Sequence, residues 1–276
     1  MLPEITDSQR LEACARPSGH AVMYQRWGDL LFLHWKIEAD RLQATLPKGL
    51  TVDTDAEGHG WIGLVPFAMS QIRPRGLFPV PWISAFLEMN VRTYVRDEKG
   101  DPGVYFYSLD AERWPAVKLA RAAFHLPYFH ASMNQEIDPE TGWVDYTCRR
   151  AGETYDTEDD GHLLWLNNAF RADHDQPADF RYRPSPDTVT TAAVGSLEFF
   201  LLERYTLFTA KRDGQIASGR VFHSPYRYTD AVELACFSPT ALDQAGFSGF
   251  DRAPDHVAWA KPVDVEVFPL QSVKRS

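Results

Sequence analysis

The segment Phe86–Val95 alternates with the period of a β-strand. Leu87, Met89, Val91 and Val95 fall on one face; Glu88, Asn90, Arg92 and Tyr94 fall on the other. A period of two fits no helix, so this stretch commits its surroundings to a sheet. The apolar face must pack inward. The polar face has two outcomes that alternation alone does not separate. It meets water, as in an open antiparallel sheet, or it lines the interior of a closed one and forms a site. Glu88 and Arg92 stand roughly 13 Å apart at ~3.3 Å per strand residue, too far to pair with each other. If both are interior, each needs a partner from another element.

The next stretch of chain fits a hairpin with this strand. Lys99-Gly100-Asp101-Pro102-Gly103 reads as a turn and Val104–Leu109 as the returning strand. Asp110 then stands where a helix N-cap would, with Trp114-Pro115 in or near the first turn and a helix to about Phe124. Val117, Ala120, Arg121 and Phe124 share one face of that helix at i, i+3, i+4 and i+7. An arginine in an apolar stripe either snorkels to the edge or is buried and paired. Glu88 is the obvious partner, and a structural ion pair fits as well as a catalytic one. Lys118 lies off the stripe and reads as a solvated lysine, not a nucleophile. Pro127 breaks the helix, and Tyr128-Phe129 lead out of it.

The rest of the chain reads as strands with helices at corners. Residues up to about Ser18 form an N-terminal arm, and Trp27–Ile37 is a strand or a buried turn. Asp40 caps a short helix over Arg41–Leu46, and Leu50–Asp53 is a strand. Trp61–Ser70 is another strand, which Pro66 demotes in part to an edge or bulge. Arg73–Trp82 is a proline-rich loop, a candidate rim for a site. Trp143–Arg150 and His162–Ala172 are strands across the acidic loop Glu153–Asp160, and Asp173–Thr191 is a long surface connection. Further on, Leu197, Phe200, Leu201 and Arg204 share a helical face. Tyr205–Lys211 and Gln215–His223 form a hairpin around Asp213-Gly214, and Arg227–Ala235 is a strand. Ser238 caps a helix over Pro239–Ala245, and Val257–Phe268 holds strands divided by Pro262. The class is α+β, mostly antiparallel and barrel-like with a few short helices, in one domain over residues 1–276.

Composition narrows function mainly by exclusion. A net charge of −10 and a pI near 5.4 disfavour nucleic acid and anionic membrane as partners. Cys14, Cys148 and Cys236 are sparse and contain no CxxC pair, which speaks against a disulfide framework. Nothing resembles a signal peptide or an ~18-residue apolar span, so a soluble cytoplasmic protein is expected. His125, His130 and His223 have no metal-ligand spacing, and nucleotide and GxSxG motifs are missing; no metal and no cofactor are expected.

Several segments carry a family resemblance. They are Trp27-Gly-Asp-Leu-Leu-Phe-Leu-His-Trp, Gly60-Trp-Ile-Gly-Leu-Val-Pro-Phe, Phe86-Leu-Glu-Met-Asn-Val-Arg-Thr-Tyr-Val, Ala120-Arg-Ala-Ala-Phe-His-Leu-Pro-Tyr, Phe200-Leu-Leu-Glu-Arg-Tyr and His223-Ser-Pro-Tyr. Together they resemble the uncharacterised YqjF-like family, also called DUF2071. The resemblance implies the acetoacetate decarboxylase fold, whose enzymes carry Arg-Glu-x-x-Gly-[Phe/Tyr]-Pro-Lys-Lys. The first lysine of that motif forms a Schiff base with a keto acid, and the second lowers its pKa. Laid onto this chain, the arginine falls on Arg121, the glutamate on Ala122, the proline on Pro127 and the lysines on Tyr128 and Phe129. Glu88 is similar to a second acidic residue of those sites. Tyrosine and phenylalanine form no iminium, so Schiff-base decarboxylation is not expected.

The expectation is therefore an interior pocket that binds a small organic acid. Glu88 would be its acid–base residue and Tyr128 a hydrogen-bond donor, with Asn90, Arg92, Arg121 and His125 contacting the ligand. A non-catalytic binding or sensing protein with the same pocket is the alternative. Whether the protein is an enzyme stays open, and a homo-oligomer is compatible with either reading.

Overall fold

The computed structural model describes residues 5–80, 84–113, 124–151, 177–211 and 213–273. Its strands are β1 (Met23–Gly28), β2 (Leu30–Ile37), β3 (Leu50–Val52), β4 (Gly60–Pro74), β5 (Phe86–Asp97), β6 (Pro102–Ala111), β7 (Tyr128–Ile137) and β8 (Val144–Arg150). They continue as β9 (Ala178–Pro184), β10 (Thr206–Ala210), β11 (Ile216–Phe222), β12 (Tyr228–Thr229), β13 (Val232–Phe237), β14 (His256–Ala260), β15 (Val263–Val267) and β16 (Gln271–Ser272). Four short α-helices accompany them among the described residues: α1 (Asp7–Ala13), α2 (Ala39–Gln43), α3 (Leu197–Leu202) and α4 (Thr240–Gln244). None is long and apolar enough to cross a membrane.

The sheet closes on itself. Following hydrogen-bonded neighbours, β4 leads through β1, β15, β11, β10, β6 and β5 back to β4. All joins in this ring are antiparallel except β6 with β10, where Leu207 and Phe208 run parallel to Val104 and Tyr105. Two strips extend from the ring. One runs from β4 through β2 and β14 to β12. The other leaves β6 by a second parallel join, Leu109–Ala111 with Tyr128–His130, and continues through β8 and β9 to β13. The arrangement is α+β and mostly antiparallel, as expected, with two parallel joins that no local pattern announces.

β4 shows how sequence sets this topology. Its N-terminal part, Gly60–Leu64, pairs β2, and its C-terminal part, Ala68–Pro74, pairs β1. Pro66 lies between those stretches, where neither β2 nor β1 supplies a partner, so its missing N–H leaves no ladder position empty on that side. On its other side it faces Met89 of β5. Pro66 therefore marks a change of neighbour inside a buried strand, not an edge.

Apolar side chains fill both faces of the ring wall. Trp27, Phe67, Phe86, Ala111, Val221 and Val265, from six of the ring strands, belong to one cluster, which defines the ring interior. Leu33, Leu64, Met89, Val91, Tyr146, Phe180 and Leu242 form a second cluster, where both strips and α4 pack on the outer face of β4–β5–β6. Tyr94, Val104, Phe200 and Leu201 form a third, by which α3 packs on the ring. Complete burial of such side chains contributes about 1.5–3 kcal/mol each.

Several expectations need correction. Asp110 is no N-cap: it lies inside β6, buried, and accepts two hydrogen bonds at 2.6 and 2.8 Å from the equally buried Arg150. The N-terminal arm contains α1, closed by a capping box between Thr6 and Gln9. Asp40 lies within α2 instead of capping it. The segment 173–191 contains β9, and Asp230-Ala231 separates β12 from β13 where the local pattern predicts one strand. β7 is a strand that no local signal predicts. Residues 114–123, with Lys118 and Arg121, the strand 162–172 and the whole acidic loop 153–160 lie outside the described residues.

Candidate functional site

β5 brings the polar residues together. Both of its faces are buried, with Glu88 only 3% and Asn90 5% exposed and Arg92 partly buried. The solvent-facing outcome is thereby excluded. Glu88 stands beside Phe67 of β4 and Ala111 of β6, both part of the interior cluster. A bulge between Val91 and Arg92, relative to β6, keeps the even-numbered residues of β5 on this face although the facing β6 positions change parity.

Glu88 pairs with Tyr128, whose hydroxyl donates to Oε2 at 2.9 Å. Desolvation pushes the Glu88 carboxyl up to about 8; the Tyr128 hydrogen bond opposes that rise and the Asp110 charge adds to it. Glu88 thus carries its proton at neutral pH. Burial likewise lifts the Tyr128 hydroxyl well above its usual range, helped by the Glu88 charge and hydrogen bond. Two neutral O–H groups share one hydrophobic wall, an arrangement able to donate to an oxygen that gains negative charge.

Arg92 lies further along the same face. Its Nη2 donates to the Leu201 carbonyl at 3.2 Å and to the Tyr94 hydroxyl at 3.4 Å, and its guanidinium lies 5.4 Å from the Phe32 ring centre. Its Nε is buried and, among the described residues, without a partner. Among the described residues no carboxylate lies within 4 Å of it. Gly63 makes the space: a Cβ there would stand 3.0 Å from His34 Cδ2 and 3.5 Å from Arg92 Cγ.

Behind Arg92 the hydrogen bonds fix one another. The Leu201 carbonyl can only accept, so the Tyr94 hydroxyl donates to it, at 2.9 Å. His34 Nε2, at 2.7 Å, must then donate to Tyr94. His34 Nδ1 is left as the acceptor from His256 Nδ1–H, at 2.9 Å. Burial, with His256 and the Arg92 charge, holds His34 well below the usual histidine range.

The remaining expected residues divide. Arg121 lies outside the described residues, so the partner seen for Glu88 is Tyr128. His125 is exposed, and its backbone sits at φ +52° with its carbonyl accepting from the Thr209 hydroxyl at 2.6 Å. Its left-handed backbone is the conformation that favours glycine. His223, which the sequence offers only as an isolated histidine without ligand spacing, joins the site. It is buried beside Tyr205, Tyr226 and Trp27, with ring centres 4.3, 4.4 and 6.0 Å away. The one sequence signal for it is its place in His223-Ser224-Pro225-Tyr226.

Among the described residues, Asp55, Glu57 and His59 offer convergent metal-type ligands. Asp55 is already occupied by the backbone N–H groups of Glu57 and His59 and by Trp61 Nε1, and Lys36 pairs Glu57 at 3.0 Å. These bonds describe an anchored turn.

A family model of uncharacterized conserved proteins, DUF2071, matches residues 24–264. The chain belongs to the DUF2071 family. It is 35% identical over 255 residues to the uncharacterized protein YqjF of Bacillus subtilis (strain 168), covering 92% of this chain and 94% of that protein. Its fold is that of the acetoacetate decarboxylases. The enzyme from Legionella pneumophila subsp. pneumophila str. Philadelphia 1 superposes with a TM-score of 0.57 at 12% identity, covering 99% of this chain and 96% of that one. An acetoacetate decarboxylase-like enzyme from Sphingomonas wittichii RW1 gives 0.54 at 16% identity, covering 94% and 95%. The enduracididine biosynthesis enzyme MppR, complexed with pyruvate, gives 0.56 at 10% identity, covering 93% and 92%. β7 of this DUF2071 chain opens with Tyr128 and Phe129.

Proposed function

We propose that the ring interior binds a small carboxylate-bearing molecule. Arg92 is its anion anchor, and Glu88 with Tyr128 is the acid–base pair that acts on it. The observation that carries this reading is a guanidinium on the interior face with a buried, unpartnered Nε and no carboxylate within 4 Å among the described residues. An incoming carboxylate supplies the missing charge. The fold neighbour complexed with pyruvate is in keeping with a ligand of this size and charge.

In this reading the ionised minority of Glu88 takes the proton from the carbon next to a carbonyl, becoming the carboxylic acid that can return it, while the Tyr128 hydroxyl donates to the developing enolate oxygen. Schiff-base decarboxylation is not part of the proposal, because no amine stands at positions 128 and 129. One observation favours a second reading, that of a non-catalytic binder: the Tyr128 hydroxyl is already engaged by Glu88.

Thermal shift with small monocarboxylates and their amides tests the site. Carboxylates should raise Tm, and the Arg92→Met variant should lose that response. Equal responses to acids and amides would remove Arg92 from its role. Deuterium exchange at the ligand's α-carbon, followed by NMR, separates enzyme from binder: exchange that disappears in Glu88→Gln supports acid–base catalysis. Borohydride reduction with acetoacetate should leave the protein mass unchanged.

A further inference from the structure

If the interior is a carboxylate site, as proposed above, its polarity specifies more than a carboxylate. Besides Arg92 Nε, Asn90 Oδ1 and His223 Nε2 are buried polar atoms that lack a partner among the described residues. Asn90 is on the face that carries Glu88 and Arg92, opposite Val65 of the interior cluster. His223 comes directly after β11 with the same parity as Val221, another member of that cluster.

A continuous aromatic wall joins His223 to Arg92. The guanidinium lies 5.4 Å from the Phe32 ring, Phe32 is 5.6 Å from Tyr226, and Tyr226 is 4.4 Å from His223. The Arg92 charge is felt at both Tyr226 and His223.

The neighbour of His223 sets its protonation state. Its Nδ1 is 2.8 Å from the Ser224 carbonyl, which can only accept, so Nδ1 carries the proton and Nε2 presents a lone pair. The ring is 1% exposed, and desolvation brings its pKa down to about 4, against the bond to Ser224 and with the help of Arg92. At neutral pH His223 Nε2 is therefore an acceptor. Asn90 Oδ1 is an acceptor, carried on an amide whose Nδ2 is a donor. Apart from the Glu88–Tyr128 pair, the interior thus offers one cationic donor and two acceptors that, among the described residues, have nothing to accept from.

A bare carboxylate answers only the donor. A keto oxygen facing His223 Nε2 and Asn90 Oδ1 would bring only further lone pairs to those two atoms. A hydroxyl brings the missing O–H. We infer that the ligand is a small hydroxy acid, its carboxylate on Arg92 and its hydroxyl donating to His223 Nε2 or Asn90 Oδ1. A site built with acceptors for a hydroxyl discriminates strongly against an analogue without one, because those acceptors stay unpaired.

The test uses the full chain at neutral pH and matched ligands: lactate, pyruvate and propionate, then 3-hydroxybutyrate, acetoacetate and butyrate. Dissociation constants are measured by calorimetry. In at least one set the hydroxy acid should bind tenfold or more tightly than both its keto and its unsubstituted analogue. In His223→Phe or Asn90→Leu that preference should shrink while a weaker, Arg92-dependent affinity for all three acids persists. The comparison within wild type stands even if either variant fails to fold. Keto acids binding as tightly as hydroxy acids, or more so, would overturn the hydroxy-acid inference and leave the carboxylate site in place. If none of the six acids binds, the carboxylate reading falls, and the inference with it.

Discussion

Glu88→Gln should remove a specific part of the pH dependence of stability. In the unfolded chain Glu88 titrates near 4.5; in the fold it titrates near 8. Between those values the native state holds one proton more than the unfolded state, so stability falls as pH rises, with a limiting slope of about 1.4 kcal/mol per pH unit. Across the whole interval the loss is roughly 5 kcal/mol, an order-of-magnitude figure from the same linkage. Glutamine keeps the shape and an acceptor for Tyr128 but does not titrate. Urea unfolding followed by tryptophan fluorescence at pH 5, 6, 7 and 8 provides the assay. The difference in stability, variant minus wild type, should become more positive with each step in pH and level off above about 8. A flat difference across that range would mean that Glu88 is not held protonated in the fold, and its role as an acid would be withdrawn.

Two substitutions test the frame around the site. Asp110→Ala leaves Arg150, with a side chain 2% exposed, without its carboxylate, and should destabilise by about 3–5 kcal/mol in chemical denaturation; replacing both partners by leucine and methionine should recover most of that. Gly103→Ala drives a Cβ to 2.6 Å from the Thr206 carbonyl and 2.6 Å from Phe208 at the parallel join. Because one of those neighbours is backbone, the expected loss is about 1–3 kcal/mol, visible as a Tm several degrees lower; an unchanged Tm would show that the join yields easily.

Period-two alternation makes β5 legible, and glycine-bearing turns make the β5–β6 and β10–β11 hairpins legible, since each signal is local. The direction of the polar face is not legible from alternation, because a strand's pattern is the same whether water or a closed wall lies beside it. Alternation groups Glu88, Asn90 and Arg92 on one face, but the residues that hold them come from far away in sequence: Tyr128 for Glu88, and Leu201 and Tyr94 for Arg92. Asp110 misleads for the same reason. An aspartate shortly before Trp-Pro has the local chemistry of a cap, and only the distant Arg150 shows otherwise. His223 escapes a sequence reading because a lone histidine gains meaning only from the lone pair it presents and the atoms around it.

The parallel join of β10 to β6 also dictates when the interior can exist. β5 and β6 meet early, as a hairpin, but the far side of β6 stays unpaired there until residues 206–210 have been synthesised and have returned to it. About a hundred residues separate the two partners, Val104 and Leu207, so closure is a late, non-local event on any route from ribosome to native state. Until then Glu88, Asn90 and Arg92 stand in water, where a carboxyl is ionised and a guanidinium has no need of a counter-charge. Sealing the wall is the step that gives these side chains their altered chemistry. A nascent chain stalled before Thr206 would carry every residue of β5 without the closed ring around them.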